Sequence, residues 1–221
     1  MIPYDDIILI DKPSGMSSFG VVARLRRVLS AQLGKKAKVG HTGTLDPFAT
    51  GLMILVTGKK CKEAGDFSKL DKWYEAEIIL GKTSSTGDPE GEIVDVSNRQ
   101  PTSEEVRAAL DKFVGEITQT PPAFSAIKIN GQRAYQLARQ GKTPDMPSRQ
   151  VTIYKLEMIS YQYPLLRIRT HVSSGTYIRT LAQDIGDSLG VGAYCRELRR
   201  TRIAEYNLQQ AAKLSDFGIT S

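Results

Sequence analysis

The residues best suited to chemistry fall together between Gly40 and Leu52, in the string GHTGTLDPFATGL. It holds one carboxylate, Asp46, one of the chain's two histidines, His41, and the glycines Gly40, Gly43 and Gly51. Glycine opens backbone shapes closed to other residues and lets a ligand come near the main chain. Pro47 biases Asp46 away from helix toward an extended or turn conformation. Taken alone, Asp-Pro in a glycine-rich segment is a turn whose Asp bonds its own backbone. The same composition also holds a carboxylate rigidly at the mouth of a cleft. No metal is expected, because Cys61 and Cys195 are far apart and match no metal-ligand spacing or CxxC pattern.

Charge says what such a site would meet. The formal net charge is +6, from 30 Lys and Arg against 24 Asp and Glu. No acidic residue lies between Asp11 and Asp46, whereas Lys12, Arg24, Arg26, Arg27, Lys35, Lys36 and Lys38 all do. Arg196, Arg199, Arg200 and Arg202 form a second cluster. Positive charge gathered beside a candidate loop favours a phosphate-bearing partner. No apolar run approaches membrane-spanning length, and the N-terminal residues lack the regions of a signal peptide. With two isolated cysteines, the expected compartment is reducing, hence cytoplasmic.

The elements that must position these residues can be read in order. Ile7–Ile10 is a short buried strand. Ser17 or Ser18 caps a helix with Val21, Val22, Leu25, Val28 and Leu29 on one face. Leu52–Val56 is a buried strand or helix segment, and a helix is expected from Lys59 to Leu70. Residues 73–80 read as a strand and 83–91 as a loop. Thr102-Ser103-Glu104-Glu105 has capping-box spacing and opens a helix reaching about Val114. From 119 to 145 the chain turns basic and broken, with Pro121-Pro122 and the hairpin signal Asn130-Gly131. We read this stretch as an insertion that grips a partner. Strands at 150–161, 165–173 and 194–203 bracket a helix from Thr176 to Leu189. The fold class this predicts is α+β, with a mixed, largely antiparallel sheet flanked by helices.

Several of these blocks, in order, resemble the TruB-type tRNA pseudouridine synthases. Gly40–Leu52 is similar to the family's signature loop, and Asp11–Ser18 (DKPSGMSS) to its N-terminal motif, with Ser17 where Thr is usual. Lys72-Trp73-Tyr74, Leu80-Gly81, Thr86-Gly87-Asp88 and Gly91 resemble the next block. Pro121–Lys128, Gly131 and Tyr135–Arg139 resemble a thumb-like insertion, and Ser174–Thr180 and Leu198-Arg199-Arg200 complete the series. The resemblance implies the pseudouridine synthase fold and isomerisation of uridine-55 in the T loop of tRNA. It implies one catalytic domain over residues 1–221, with the insertion at about 119–145 and no C-terminal PUA-type domain.

The roles that follow are those the resemblance implies. Asp46 is the essential carboxylate, and whether it attacks C1′, attacks the uracil ring or abstracts a ribose proton stays open. Arg179 is the active-site arginine; a guanidinium beside a dry aspartate opposes its protonation and orients it. Tyr74 lies on the uracil face and takes the C5 proton, while Tyr177 and Leu198 line the pocket. Asp88 joins the network around Arg179. His41 fills the space left by a flipped base. Lys12, Lys128, Arg133, Arg139, Arg199, Arg200 and Arg202 are the candidate contacts to the RNA backbone. No cofactor, guide RNA or membrane is called for, and a monomer is expected. The competing readings are a tRNA-binding folding chaperone without needed catalysis, or the same chemistry on another RNA.

Overall fold

The computed structural model describes residues 2–129 and 131–219. Asn130, half of the expected Asn-Gly turn, lies outside them. The chain divides into two compact units: one runs up to Tyr74 and resumes at Arg199, and the other is Glu75–Leu198. As the sequence predicts, the architecture is α+β with a mostly antiparallel sheet.

In the first unit, β1 (Ile7–Lys12) runs antiparallel to β3 (Thr50–Thr57), in a register that sets Ile10 opposite Met53 and Lys12 opposite Gly51. The short β2 (Val39–His41) also pairs with β3, placing His41 opposite Leu55. The far end of β12 (Ala193–Ile203) joins β3 in parallel at Arg199 and Arg200, then returns through β13 (Tyr206–Asn207). Leu52, Met53, Ile54, Leu55 and Val56 are all buried. A continuous apolar run is what a strand covered on both faces requires, and this resolves the helix-or-strand ambiguity.

The helix α1 (Ser18–Leu33) begins where Ser17 accepts a hydrogen bond from Gly20 N at 3.0 Å. It buries Val21, Val22, Leu25 and Leu29. The long helix expected from Lys59 to Leu70 is replaced by a 3-10 segment, Gly58–Glu63, and a single short helix, α2 (Ala64–Ser68). No residue of α2 is buried, so no packed face extends it beyond the length at which helices are marginal.

The second unit holds the rest of β4 (Lys72–Leu80), then β5 (Lys82–Ser84) and β6 (Ile93–Asp95), which pair as a hairpin whose connection takes up most of the stretch read as a loop. A reciprocal capping box of Thr102 and Glu105 opens α3 (Ser103–Asp111). There follow β7 (Gly115–Gln119), the small hairpin of β8 (Lys128–Ile129) and β9 (Gln132–Arg133), and α4 (Ala134–Arg139). The long strands β10 (Arg149–Gln162) and β11 (Leu165–Val172) lead to α5 (Ile178–Ser188). Strands here neighbour one another in the order β12, β4, β11, β10, β7. Ile78, Ile153, Leu166, Ile168, Val172, Leu181 and Ile185 are among its buried residues.

Candidate active site

Asp46 sits in the loop between β2 and β3, half-buried, and its carbonyl accepts from Ala49 N at 3.2 Å. The backbone around it is tied down from separate elements. At the end of β1, Lys12 sends Nζ to the carbonyls of Met16 (2.5 Å), Pro13 (2.8 Å) and Pro47 (3.1 Å). Gly15 N donates to Pro47 O at 2.9 Å and Ser14 Oγ to Phe48 O at 3.1 Å. In the first turn of α1, Ser18 Oγ both donates to Leu45 O and accepts from Leu45 N, each at 2.8 Å. From β12, Arg200 donates through Nε to Leu52 O (2.7 Å) and through Nη2 to Gly43 O (3.1 Å). Loop carbonyls that secondary structure leaves without partners are thus satisfied by buried cations.

The same contacts explain Gly51. Its φ is +103°, and a Cβ there would lie 2.3 Å from Arg200 O and 2.8 Å from Arg200 N. The close parallel approach of β3 and β12 at this point needs a residue without a side chain. Lys72, buried near Arg200, has its ammonium pushed down to about 8, first by burial and then by the Arg200 charge. Two further residues of interest lie in this unit: His41, half-buried at the end of β2, and Tyr74, 7% exposed in β4.

Two sequence assignments are corrected here. Lys12 and Arg200 were expected at the RNA backbone, yet they are 0% and 1% exposed. Both are turned inward and donate to carbonyls of the signature loop. A basic residue's type and neighbours do not reveal which way its side chain turns, and the buried carbonyls that draw these two inward are set by tertiary structure.

In the second unit, Arg179 occupies the first turn of α5 and is 2% exposed. Its Nη1 donates to Thr86 O at 2.9 Å and to Asp88 Oδ2 at 3.1 Å, and its Nη2 to Phe124 O at 2.8 Å. Asp88 Oδ1 also accepts from Thr86 Oγ1 at 2.6 Å and Glu90 N at 3.0 Å. The expected pairing of Arg179 with Asp88 is therefore present. Tyr177 is the cap residue of α5, and Leu198, 7% exposed, lies in β12.

The remaining cations differ in exposure. Arg199 is partly exposed and donates to Asp11 Oδ2 at 2.8 Å and Thr50 Oγ1 at 3.1 Å. Arg202 is exposed, as are Lys128, Arg133 and Arg139 on β8, β9 and α4. Sequence reading passed over Gln119 and Arg149, which grip the segment before α5, and gave Ser18 only a capping role. Gln119 precedes the Pro121-Pro122 break, and that adjacency was the one available signal. Among the described residues no cluster of His, Cys, Asp and Glu could hold a metal, and no helix is long and apolar enough to cross a membrane.

With this geometry in hand, comparison with solved structures gives the class. The fold superposes on a chain of a Cbf5-Nop10-Gar1 complex with a TM-score of 0.72 at 29% identity, covering 95% of this chain and 52% of that one. It also superposes on a chain of an H/ACA RNP bound to a substrate RNA containing 2'-deoxyuridine, with a TM-score of 0.69 at 26% identity, covering 95% and 51%. The chain spans about half the length of those solved chains. The architecture is that of the pseudouridine synthases.

Sequence models give the family. Residues 26–178 match the TruB family pseudouridylate synthase (N terminal domain), and residues 179–219 match the tRNA pseudouridylate synthase B C-terminal domain. The chain belongs to the TruB family. It is 44% identical over 216 residues to the tRNA pseudouridine synthase B of Chloroherpeton thalassium, covering 97% of this chain and 89% of the relative. It is likewise 44% identical over 210 residues to that of Burkholderia mallei, covering 95% and 68%.

Proposed function

We propose that the protein isomerises uridine to pseudouridine at position 55 in the T loop of tRNA. The observation that carries this reading is the match to the TruB family along residues 26–219. Asp46, held on a loop bonded to Lys12, Ser18 and Arg200, supports it further. The bond from ribose C1′ to uracil N1 breaks and a bond from C1′ to C5 forms. The C5 proton leaves and N1 gains one. Atoms and electrons balance without a cofactor.

Asp46 supplies the ionised carboxylate at the nucleotide, and Arg179 serves as the active-site arginine. Tyr74 lies on the uracil face and receives the C5 proton. Tyr177 and Leu198 shape the uracil pocket, and Asp88 fixes Arg179. Extracting the stacked uridine costs a few kcal/mol, which His41 offsets by filling the vacated space. Arg199, Arg202, Lys128, Arg133 and Arg139 meet the phosphates. The protein acts as a monomer, without a guide RNA, in the cytoplasm where tRNA is made and used.

The test is site-resolved pseudouridine mapping on unmodified tRNA transcripts with wild-type and Asp46→Asn protein. Wild type modifies position 55, and the Asn variant leaves it as uridine while still binding tRNA. Normal modification by the Asn variant, or none by wild type, overturns the reading.

A further inference from the structure

The segment just before α5 is held by a pair of residues facing each other across two strands. Gln119, at the end of β7, lies directly opposite Arg149, at the start of β10. Side chains of directly opposed residues share one face of the sheet, and both of these reach the same target. The Gln119 carboxamide makes two bonds to the backbone of Tyr177: its Oε1 accepts from Tyr177 N at 3.0 Å, and its Nε2 donates to Tyr177 O at 3.2 Å. Arg149 donates to Gly175 O and lays its guanidinium 4.8 Å from the centroid of the Tyr177 ring.

Gln119 is 1% exposed. A buried carboxamide committed in this way fixes backbone position better than a packed apolar side chain, because both its donor and its acceptor must be matched. Two neighbouring contacts extend the grip: Thr180 Oγ1 donates to Thr120 O at 3.5 Å and Arg179 Nη2 to Phe124 O at 2.8 Å. The opening of the basic insertion, residues 119–124, is thereby bonded to Tyr177, Arg179 and Thr180, at the start of α5.

We propose that Gln119 is a positioning residue for the isomerisation: it sets where Tyr177 stands and, through it, how the first turn of α5 presents Arg179. The inference rests on the reading of Tyr177 as part of the uracil pocket and of Arg179 as the active-site arginine. It assigns Gln119 no contact with RNA. A displacement of about 1 Å at a positioning group can cost on the order of 100-fold in rate.

The experiment compares wild type with Gln119→Met, which keeps the length of the side chain and removes both bonds. It uses single-turnover pseudouridine formation on a tRNA transcript and tRNA binding measured in parallel. The expected result is a rate constant lower by about 10- to 100-fold, with tRNA affinity within about threefold and a protein still folded at the assay temperature, its melting point lowered by the loss of two buried bonds. In a Tyr177→Ala background, which keeps the backbone groups that Gln119 bonds and removes the ring it places, the same substitution should cost less than it does in wild type. An equal fall in both backgrounds, or a loss confined to binding, or no loss, overturns the proposal. Should Gln119→Met melt below the assay temperature, Gln119→Glu, which keeps the acceptor for Tyr177 N and loses the donor, carries the same comparison. Absence of pseudouridine with wild type would instead count against the proposed function, so the two failures are separable.

Discussion

Arg179 donates to Asp88 across 3.1 Å with only 2% and 5% of their side chains exposed. The carboxylate also accepts from Thr86 Oγ1 and Glu90 N. Arg179 in turn is bound to the carbonyls of Thr86 and Phe124. Such a guanidinium has one orientation open to it. Removing Asp88 leaves its charge poorly compensated in a place that water does not reach. Asp88→Ala should therefore lower unfolding stability by about 3–5 kcal/mol, measured by urea denaturation. Asp88→Asn should cost less, because an amide oxygen still accepts. An Ala variant as stable as wild type contradicts the buried-pair account.

The contact between Gly51 and Arg200 gives a second test. A Cβ at Gly51 would lie 2.3 Å from a backbone oxygen, in a left-handed conformation that alanine resists. Backbone strain of about 1–3 kcal/mol and overpacking of similar size add here. Gly51→Ala should fold poorly or melt well below wild type in a thermal scan. Gly65→Ala, with open space around it, should leave the melting point nearly unchanged.

The third concerns pH. Burial, and then the neighbouring Asp187, push the Asp184 carboxyl up from 3.8 to about 6. A carboxyl whose folded pKa lies above its unfolded one favours the folded state while protonated. That contribution is present below about pH 4 and is lost as pH rises toward 6. Asp184→Asn should match wild type near pH 4 and be more stable above pH 6. The gain, discounted for partial solvent screening, is about 1–2 kcal/mol. Urea titrations at the two pH values check it; a gain that does not change with pH sinks it.

Burial separates the cations into two groups with different readouts. Arg202 and Arg133 are exposed, so replacing either with Ala should weaken tRNA binding and reduce the salt slope of log K by about 1. Arg200, 1% exposed, should instead register in stability when replaced. Binding isotherms at several salt concentrations, set beside melting curves, distinguish the two.

Much of the fold was legible because local signals agreed with it. The Ser17 cap, the Thr102 capping box and the alternation through Trp73–Ile78 each state a local preference that tertiary packing reinforces. The signature loop and Arg179 were found through motif resemblance, since nothing in the periodicity of α5 marks Arg179 as buried. What remained hidden depends on long-range partners. The short strands β2, β6 and β7 exist because other strands supply their hydrogen bonds. Lys12 and Arg200 look like surface cations in sequence and turn inward because unmatched carbonyls wait there. Gln119 carries no mark beyond its place before the Pro121-Pro122 break, because its role is defined by a backbone 58 positions away.

The anchoring of the Asp46 loop also limits how it can be reused. Lys12, Ser18 and Arg200 come from β1, α1 and β12, spread over nearly the whole length of the chain. Residues 40–52 grafted onto another protein would bring their carboxylate and leave behind the cations and hydroxyl that hold it still. The peptide is portable; its rigidity is not, and an engineer moving this chemistry must carry three distant side chains along with it.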